Sequence, residues 1–172
     1  MLRLAGCILT VSGCVGLGYW YRQQFTGRLH HLRILITILD MMMSEVRYSK
    51  ASLPECCRQL AGRLEEPYQG SFQKIWEETR ENAGEPYDDI FKRNMQACMG
   101  QVPLGKEEKK LFLEVSGRFG YEEARMQLNS MEQCKEQLKG LAARLEREVG
   151  EKGRMAMGLG TLGGLLLIII LL

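Results

Sequence analysis

The chain has few of the residues that build enzyme or metal sites. Its only histidines, His30 and His31, are adjacent in sequence, so they cannot face one site together from a helix. Its six cysteines include no CxxC pair and no metal-ligand spacing, which favours reduced thiols used as small apolar residues. The paired carboxylates are sequence neighbours, which diverge on a helix and more often solvate a surface than share a proton. These absences predict a protein that is not an enzyme and uses no cofactor or metal.

Two segments resemble nucleotide-binding motifs but lack essential parts. Residues 100–107 nearly match a phosphate loop, yet Glu107 stands where a metal-binding Ser or Thr is needed, and the preceding segment is helical. Residues 158–163 match the letters of a dinucleotide fingerprint without a surrounding βαβ unit. The first segment leaves open a nucleotide-hydrolysing membrane enzyme that depends on Lys106, but a helix end followed by a helix start is the favoured interpretation.

Charge is nearly balanced overall but unevenly placed. The formal net charge is +2, with bases concentrated toward both ends of the central segment, which argues against nucleic acid as a partner. Acidic residues cluster in the middle and form either a solvated face or a docking face for a basic protein. This acidic cluster comprises Glu65, Glu66, Glu77, Glu78, Glu81, Glu85, Asp88 and Asp89.

Charge-free apolar runs lie at both ends of the chain. The runs over residues 4–21 and 155–172 would each be about 27 Å long as helices, close to the hydrocarbon thickness of a bilayer. The sequence therefore predicts an N-terminal transmembrane anchor over 1–21, a C-terminal transmembrane helix over 155–172 and a single domain over 22–154. Bases follow the first run and precede the second, so the positive-inside rule predicts a cytoplasmic domain held in the cell membrane, in contact with lipid.

A second hypothesis concerns the N-terminal run. Residues 11–14 resemble a bacterial lipoprotein box, so the chain could be a membrane-anchored lipoprotein acylated at Cys14, with its helical domain outside the cytoplasm. The apolar run continues past Cys14 to Tyr21, as an uncleaved span does and a removed signal normally does not. Retention of this run is therefore the favoured hypothesis.

Apolar residues recur at helical spacing throughout the central segment, and no run alternates like a strand. The fold class predicted is all-α, a six-helix antiparallel bundle flanked by the two transmembrane helices. In helix one the apolar stripe contains Leu32, Leu35, Ile36, Leu39, Met42, Met43 and Val46. The predicted helices run from about Leu29 to Lys50, from a Ser52–Glu55 capping box to about Glu65, between Pro67 and a left-handed Gly84, from Pro86 to Gly100, from about Lys106 to Gly120, and from about Glu122 to Arg154.

Five residues are candidate partner or packing residues. Ala156, Gly160 and Gly164 are four apart, and such a stripe of small residues lets another helix approach closely within a membrane. Glu45 and Tyr48, near the end of helix one, can bond to each other or anchor a neighbouring helix. No small-molecule substrate is indicated by any of them.

Several short segments together resemble one protein family over nearly the whole chain. They are Ser44-Glu45-Val46-Arg47-Tyr48 with Leu53-Pro54 behind it, Gly120 with Gln127, and the closing segment over residues 159–167. In this order and spacing they resemble the stage III sporulation protein AB family of endospore-forming bacteria. One departure is Glu122-Glu123, which stands where the family pattern has Ser-Asp after Gly120.

The resemblance implies a function. It implies a non-enzymatic platform subunit of the secretion-like channel between mother cell and forespore, similar to the platform proteins of type II secretion and type IV pili. The implied partners are channel membrane proteins and a hexameric secretion-type ATPase. The implied location is the outer forespore membrane, with the bundle facing the mother-cell cytoplasm and required for sporulation.

Overall fold

The computed structural model describes residues 26–49, 52–82, 84–116 and 124–171, and gives only the backbone of residues 49, 116, 124 and 151–171. Throughout these ranges every regular element is a helix and there is no strand, which confirms the predicted all-α fold class. Residues His30–Ala142 form one compact unit, distinct from a second unit that comprises Met1–Leu29 and Ala143–Leu172.

Six helices occupy the described ranges, as predicted. The first helix, α1, covers 26–44 and continues into a π-helical turn over Glu45–Ser49. The others are α2 (Leu53–Ala61), α3 (Tyr68–Glu81), α4 (Tyr87–Gly100), α5 (Lys106–Ser116) and α6 (Ala124–Leu171).

Each helix buries one apolar stripe. In α1 the stripe is that predicted except that Ile38 is fully buried, whereas Ile36 and Val46 are only half-buried. The remaining buried side chains of α1 are Leu32, Leu35, Leu39, Met42 and Met43. In α6 the buried stripe comprises Gln127, Met131, Cys134, Leu138, Ala142 and Leu145, and Leu128, Leu141 and Val149 are half-buried beside it.

An aromatic cluster joins the middle helices. Phe91 of α4 is central to it, with its ring centroid 6.0 Å from that of Phe72 in α3 and 6.3 Å from that of Phe112 in α5. Tyr87, one turn before Phe91, lies 6.0 Å from the same ring. Aromatic pairs at these separations add to the free energy gained from burying the rings, so this cluster fixes how α3, α4 and α5 pack.

Two predicted helix ends are wrong. Helix α2 ends at Ala61 rather than near Glu65, because the chain turns at Gly62 and the Leu60 carbonyl accepts from Arg63 and Leu64. Helix α3 ends at Glu81, where the Asn82 N–H still bonds to Glu78, and Gly84 beyond it is not left-handed. Both predictions placed the helix end close to a Pro or Gly, whereas each helix ends before that residue.

The predicted capping box also differs from the structure. Ser52 has extended backbone at the N-cap of α2, as predicted, but its side chain makes no cap hydrogen bond. Glu55, the other half of the box, instead accepts from the Arg58 guanidinium one turn ahead. Pro54 does lie in the first turn, where its missing N–H has no intrahelical partner to lose.

The predicted membrane spans lie beyond what this structure tests. Among the residues searched, which are those the structure describes with their side chains, no helix is both long enough and apolar enough to cross a membrane. The N-terminal run over 1–21 lies outside the described residues. The run over 155–172 lies where only the backbone is described, and there it continues α6 to Leu171.

Candidate partner-binding surface at one end of the bundle

One end of the compact unit is marked by a contact between the starts of two helices. The Tyr68 hydroxyl at the start of α3 lies 3.3 Å from Nδ1 of His31 near the start of α1. Burial lowers the pKa of His31, and the neighbouring charge of His30 lowers it further. The His31 ring thus packs against Tyr68, and its centroid lies 5.4 Å from that of His30. Among the residues that the structure describes, no group of three metal-binding side chains occurs.

Glu45 lies at the other end of α1, about 21 Å from His31 along the helix. Its carboxylate is mostly buried. With the Gln59 side-chain amide of α2 oriented so that its nitrogen faces this carboxylate, Nε2 of Gln59 donates to Glu45 at 3.0 Å from each carboxylate oxygen. Arg63, just beyond α2, lies 3.6 Å from the same carboxylate. Glu45 thus contacts the neighbouring helix α2 and the turn beyond it.

A π-helical turn begins at Glu45 and contains Tyr48. Such turns insert an extra residue per turn and occur frequently at functional sites. Tyr48 is 79% exposed, and Arg47 beside it is also exposed. The two predicted residues therefore have different environments: Glu45 holds the turn onto α2, and Tyr48 is presented to solvent.

A buried polar pair brings the start of α4 to the same end. The Cys57 thiol of α2 and the Tyr87 hydroxyl share a hydrogen bond of 3.0 Å. Burial raises the pKa of Cys57 to about 12 and that of Tyr87 well above its ordinary value, so both groups stay protonated. Burial raises the pKa of Cys56, the neighbour of Cys57, to about 11, and the charge of Glu45 raises it further.

Arg93 of α4 joins the end of α3 to the loop before α4. Its guanidinium bonds to Glu78 at 2.7 Å and to Glu85 at 2.5 Å, and Asn94 donates to Glu78 at 2.8 Å. The hydrogen bond from Arg93 is the main reason that the pKa of Glu78 is lowered. Glu78 and Glu85, two carboxylates of the predicted acidic cluster, are thereby paired with Arg93.

The structure divides the rest of the acidic cluster. Glu65 and Glu66 precede α3 and so lie toward the end marked by His31 and Tyr68. Glu77, Glu81 and Asp89 remain exposed near the junction of α3 and α4, beside the carboxylates that Arg93 holds. The end of the bundle that carries Glu45 therefore combines an exposed aromatic ring with exposed charges of both signs; we call it the charged end.

The other predicted packing residues lie where no side chain is described. Ala156, Gly160 and Gly164 fall in the part of α6 of which only the helical backbone is given. Their role in membrane packing stays a prediction.

Sequence reasoning missed the partners that complete this surface. Gln59, Arg63 and Arg93 look like ordinary solvated residues in the sequence, and only the packing of α2 against α1 and of α4 against α3 gives them partners. Nothing in the sequence spacing of Tyr87 indicated its hydrogen bond with the thiol of Cys57.

The segment that resembles a phosphate loop, residues 100–107, contains the end of one helix and the start of the next. Gly100 ends α4 and Lys106 begins α5, with Glu107 and Glu108 in the first turn. Negative charge in a first turn is stabilised by the helix dipole. The segment is thus a helix end and a helix start, as the sequence indicated.

Together these features define an α-helical bundle with a charged surface at one end. Comparison with known proteins then gives its family: the chain matches the stage III sporulation protein AB family over residues 3–172. A solved structure of stage III sporulation protein AB (SpoIIIAB) shares the fold, with a TM-score of 0.64 and 16% identity over 72% of this chain and 97% of that one. No curated protein matches the sequence. The chain belongs to the stage III sporulation protein AB family and is a sporulation protein.

Proposed function

We propose that this chain is a non-enzymatic platform subunit of the channel between mother cell and forespore. In this proposal the two apolar ends anchor it in the outer forespore membrane, and the bundle faces the mother-cell cytoplasm. The charged end of the bundle meets a secretion-type ATPase, while the spans contact channel membrane proteins. The output is binding rather than chemistry.

The position of the charged end is the observation that carries this proposal. Helix α1 follows the predicted N-terminal anchor, and Glu45 lies about 21 Å further along it than His31. The contacts of Glu45 with Gln59 and of Cys57 with Tyr87 bring α2 and the start of α4 to that end of the bundle. A surface held there is accessible to a partner in the cytoplasm.

Contacts between α1 and α6 support attachment through both ends. Lys135 of α6 lies 3.1 Å from Asp40 of α1 and 2.6 Å from Glu132, and its side chain is only 11% exposed. These are the two helices adjacent in sequence to the predicted spans. Their packing supports a domain that is attached to the membrane through both of these helices.

The state of the cysteines supports the cytoplasmic location. Cys56, Cys57, Cys98 and Cys134 are all buried thiols. Burial raises the pKa of each thiol, so each is kept as a neutral apolar group between helices. Free thiols used in this way suit a reducing compartment, where disulfides are rare.

Binding to the ATPase is tested in sporulating cells. Reversal of the exposed acids in the double variant Glu77→Lys and Glu81→Lys should lower co-purification of the ATPase with the tagged chain by about tenfold. The matched control is Lys110→Glu on α5, whose side chain is 77% exposed and which should leave co-purification unchanged. Undiminished recovery of the ATPase with the double variant, or none with the natural chain, would contradict the proposal.

Packing within the membrane is tested at the stripe of small residues. Gly160→Leu should weaken recovery of channel membrane proteins, because a leucine prevents the close approach of helix backbones. The control is Gly158→Leu, which adds the same volume off the stripe formed by Ala156, Gly160 and Gly164. Equal recovery with both variants would remove the packing role.

A further inference from the structure

Tyr48 is an exception among the aromatic side chains that the structure describes. It is 79% exposed, whereas the other Phe, Trp and Tyr side chains described are buried or half-buried. Exposed single aromatics are not unusual, but this one lies in a π-helical turn, a geometry that occurs frequently at functional sites. Glu45, the first residue of the turn, contacts Gln59 of α2, so the ring is held at a defined place on the charged end.

Two arginines lie on either side of the Tyr48 ring. Around the axis of the turn Tyr48 lies between Arg47, which is exposed, and Glu45, whose carboxylate is 3.6 Å from Arg63. The side chain of Arg63 is 58% exposed, so a partner can reach both arginines. The exposed ring is thus flanked by positive charge.

The acids near this turn are engaged within the bundle. The chain from the π-helical turn to Arg63 contains four bases and two acids. Of the acids, Glu45 is 13% exposed and contacts Arg63, and Glu55 accepts from Arg58 at 2.8 Å. Among the side chains that the structure describes, no carboxylate lies within salt-bridge distance of Arg47. The turn therefore presents positive charge that the described part of the bundle does not neutralise.

We propose that this turn binds an acidic segment of a partner protein. Carboxylates of the segment pair with Arg47 and Arg63, and an apolar or aromatic side chain between them packs on the Tyr48 ring. The ligand groups are carboxylates because a guanidinium pairs with a carboxylate through two parallel hydrogen bonds. The partner is a protein because tyrosine and arginine together carry much of the binding energy at protein interfaces.

An anionic lipid surface fits this turn less well. Glu45 lies about 21 Å along α1 from His31, in the direction away from the predicted N-terminal anchor. A surface for lipid headgroups would be expected at the opposite end of α1. The inference goes beyond the proposed function, because it assigns the basic side of the charged end to a second, acidic kind of partner.

Binding of a defined acidic peptide to the full chain in nonionic detergent tests the inference. The probe is a short fluorescein-labelled peptide with one Phe between Glu residues, and fluorescence anisotropy reports its binding at physiological ionic strength. It should bind at least about tenfold more tightly than a peptide in which Lys replaces each Glu, because like charges repel at the turn. A peptide with Ser in place of Phe should bind about tenfold more weakly than the probe.

Variants of the turn locate the binding. Tyr48→Ala and Arg47→Glu should each weaken binding of the probe about tenfold, because each removes a group that contacts it. The matched control is Lys110→Glu on α5, whose side chain is 77% exposed and which changes the net charge as much as Arg47→Glu does. Because charges far from the bound peptide are screened by salt, this control should change the affinity by less than about twofold.

Three results would overturn the inference. The first is an equal effect of Arg47→Glu and Lys110→Glu, which would show attraction to net charge rather than to this turn. The second is unchanged affinity with Tyr48→Ala. The third is displacement of the probe by an equal concentration of glycerol phosphate, which would show a surface for lipid headgroups.

This test is independent of the proposed function. It contains no ATPase and keeps Glu77 and Glu81 as they are, so a negative result leaves the contact of those acids with the ATPase untouched. Conversely, loss of ATPase co-purification with the double variant Glu77→Lys and Glu81→Lys does not affect binding of the probe at the turn.

Discussion

At the scale of single residues, Glu45 and Tyr48 show how neighbouring positions take different tasks. Glu45 is mostly buried and holds α2 through Gln59 and Arg63, whereas Tyr48 is 79% exposed. Removing a buried acceptor leaves its donors without partners, which costs more than removing an exposed side chain. The two residues should therefore separate stability from binding.

The expected outcome is a difference between two alanine variants. Glu45→Ala should lower the free energy of unfolding of the bundle by about 1–3 kcal/mol, because Gln59 loses its acceptor. Tyr48→Ala should change it by less than about 0.5 kcal/mol. Denaturant midpoints of the full chain in detergent give both values, and equal midpoints would show that Glu45 does not anchor α2.

The buried thiols predict how stability depends on pH. The pKa of Cys57 is raised by burial to about 12, above the ordinary value of 9.0 that it regains on unfolding. A group whose pKa is raised in the folded state stabilises fully below the unfolded pKa and loses that contribution as pH rises above it. The bundle should therefore lose stability above about pH 9.

A variant isolates the contribution of this one thiol. At about pH 10 Cys57 should account for about 1.4 kcal/mol of the loss, since the unfolded thiol ionises and the folded one does not. Cys57→Ala removes that contribution, so its stability should fall less between about pH 8 and about pH 10 than that of the natural chain. Parallel pH profiles for the two proteins would contradict the assigned pKa of Cys57.

At the scale of helices, periodicity predicted most of the fold. Apolar spacing identified six helices and five of the six buried positions of α1, because burial of one stripe is a property of the local sequence. Helix ends were less predictable: the Ser52 side chain makes no cap hydrogen bond, and the Glu55 carboxylate accepts from Arg58 instead. At the charged end the sequence indicated Glu45, Tyr48 and the acidic cluster, but not Gln59, Arg63 and Arg93, because their partners depend on contacts between helices.

The start of α2 provides a test at this scale. Ser52→Ala should lower the free energy of unfolding by less than about 0.5 kcal/mol, because its side chain makes no cap hydrogen bond in the structure. A capping residue in use would cost about 1 kcal/mol on the same substitution. A loss of the larger size, measured by denaturation at low salt, would show that the cap forms after all.

At the scale of the whole molecule, the account joins a bundle with a charged end to two predicted anchors. Family membership shows a role in sporulation. The sequence predicts the two anchors and the cytoplasmic orientation. In the proposed function the charged end contacts proteins on the cytoplasmic side. Orientation is the claim on which the platform and the ATPase contact both depend.

The most direct test of orientation is labelling of a single exposed cysteine from one side of the membrane. Lys110→Cys on α5 is suitable because the lysine side chain is 77% exposed and the native bundle thiols are buried. A membrane-impermeant maleimide is applied before and after permeabilisation to non-sporulating cells that carry the full chain in the cell membrane, and the peptide that contains position 110 is quantified by mass spectrometry, with Cys14 left in place. The account predicts labelling only after permeabilisation. Labelling in intact cells, together with a lipid on Cys14, would instead show an exported lipoprotein and contradict it.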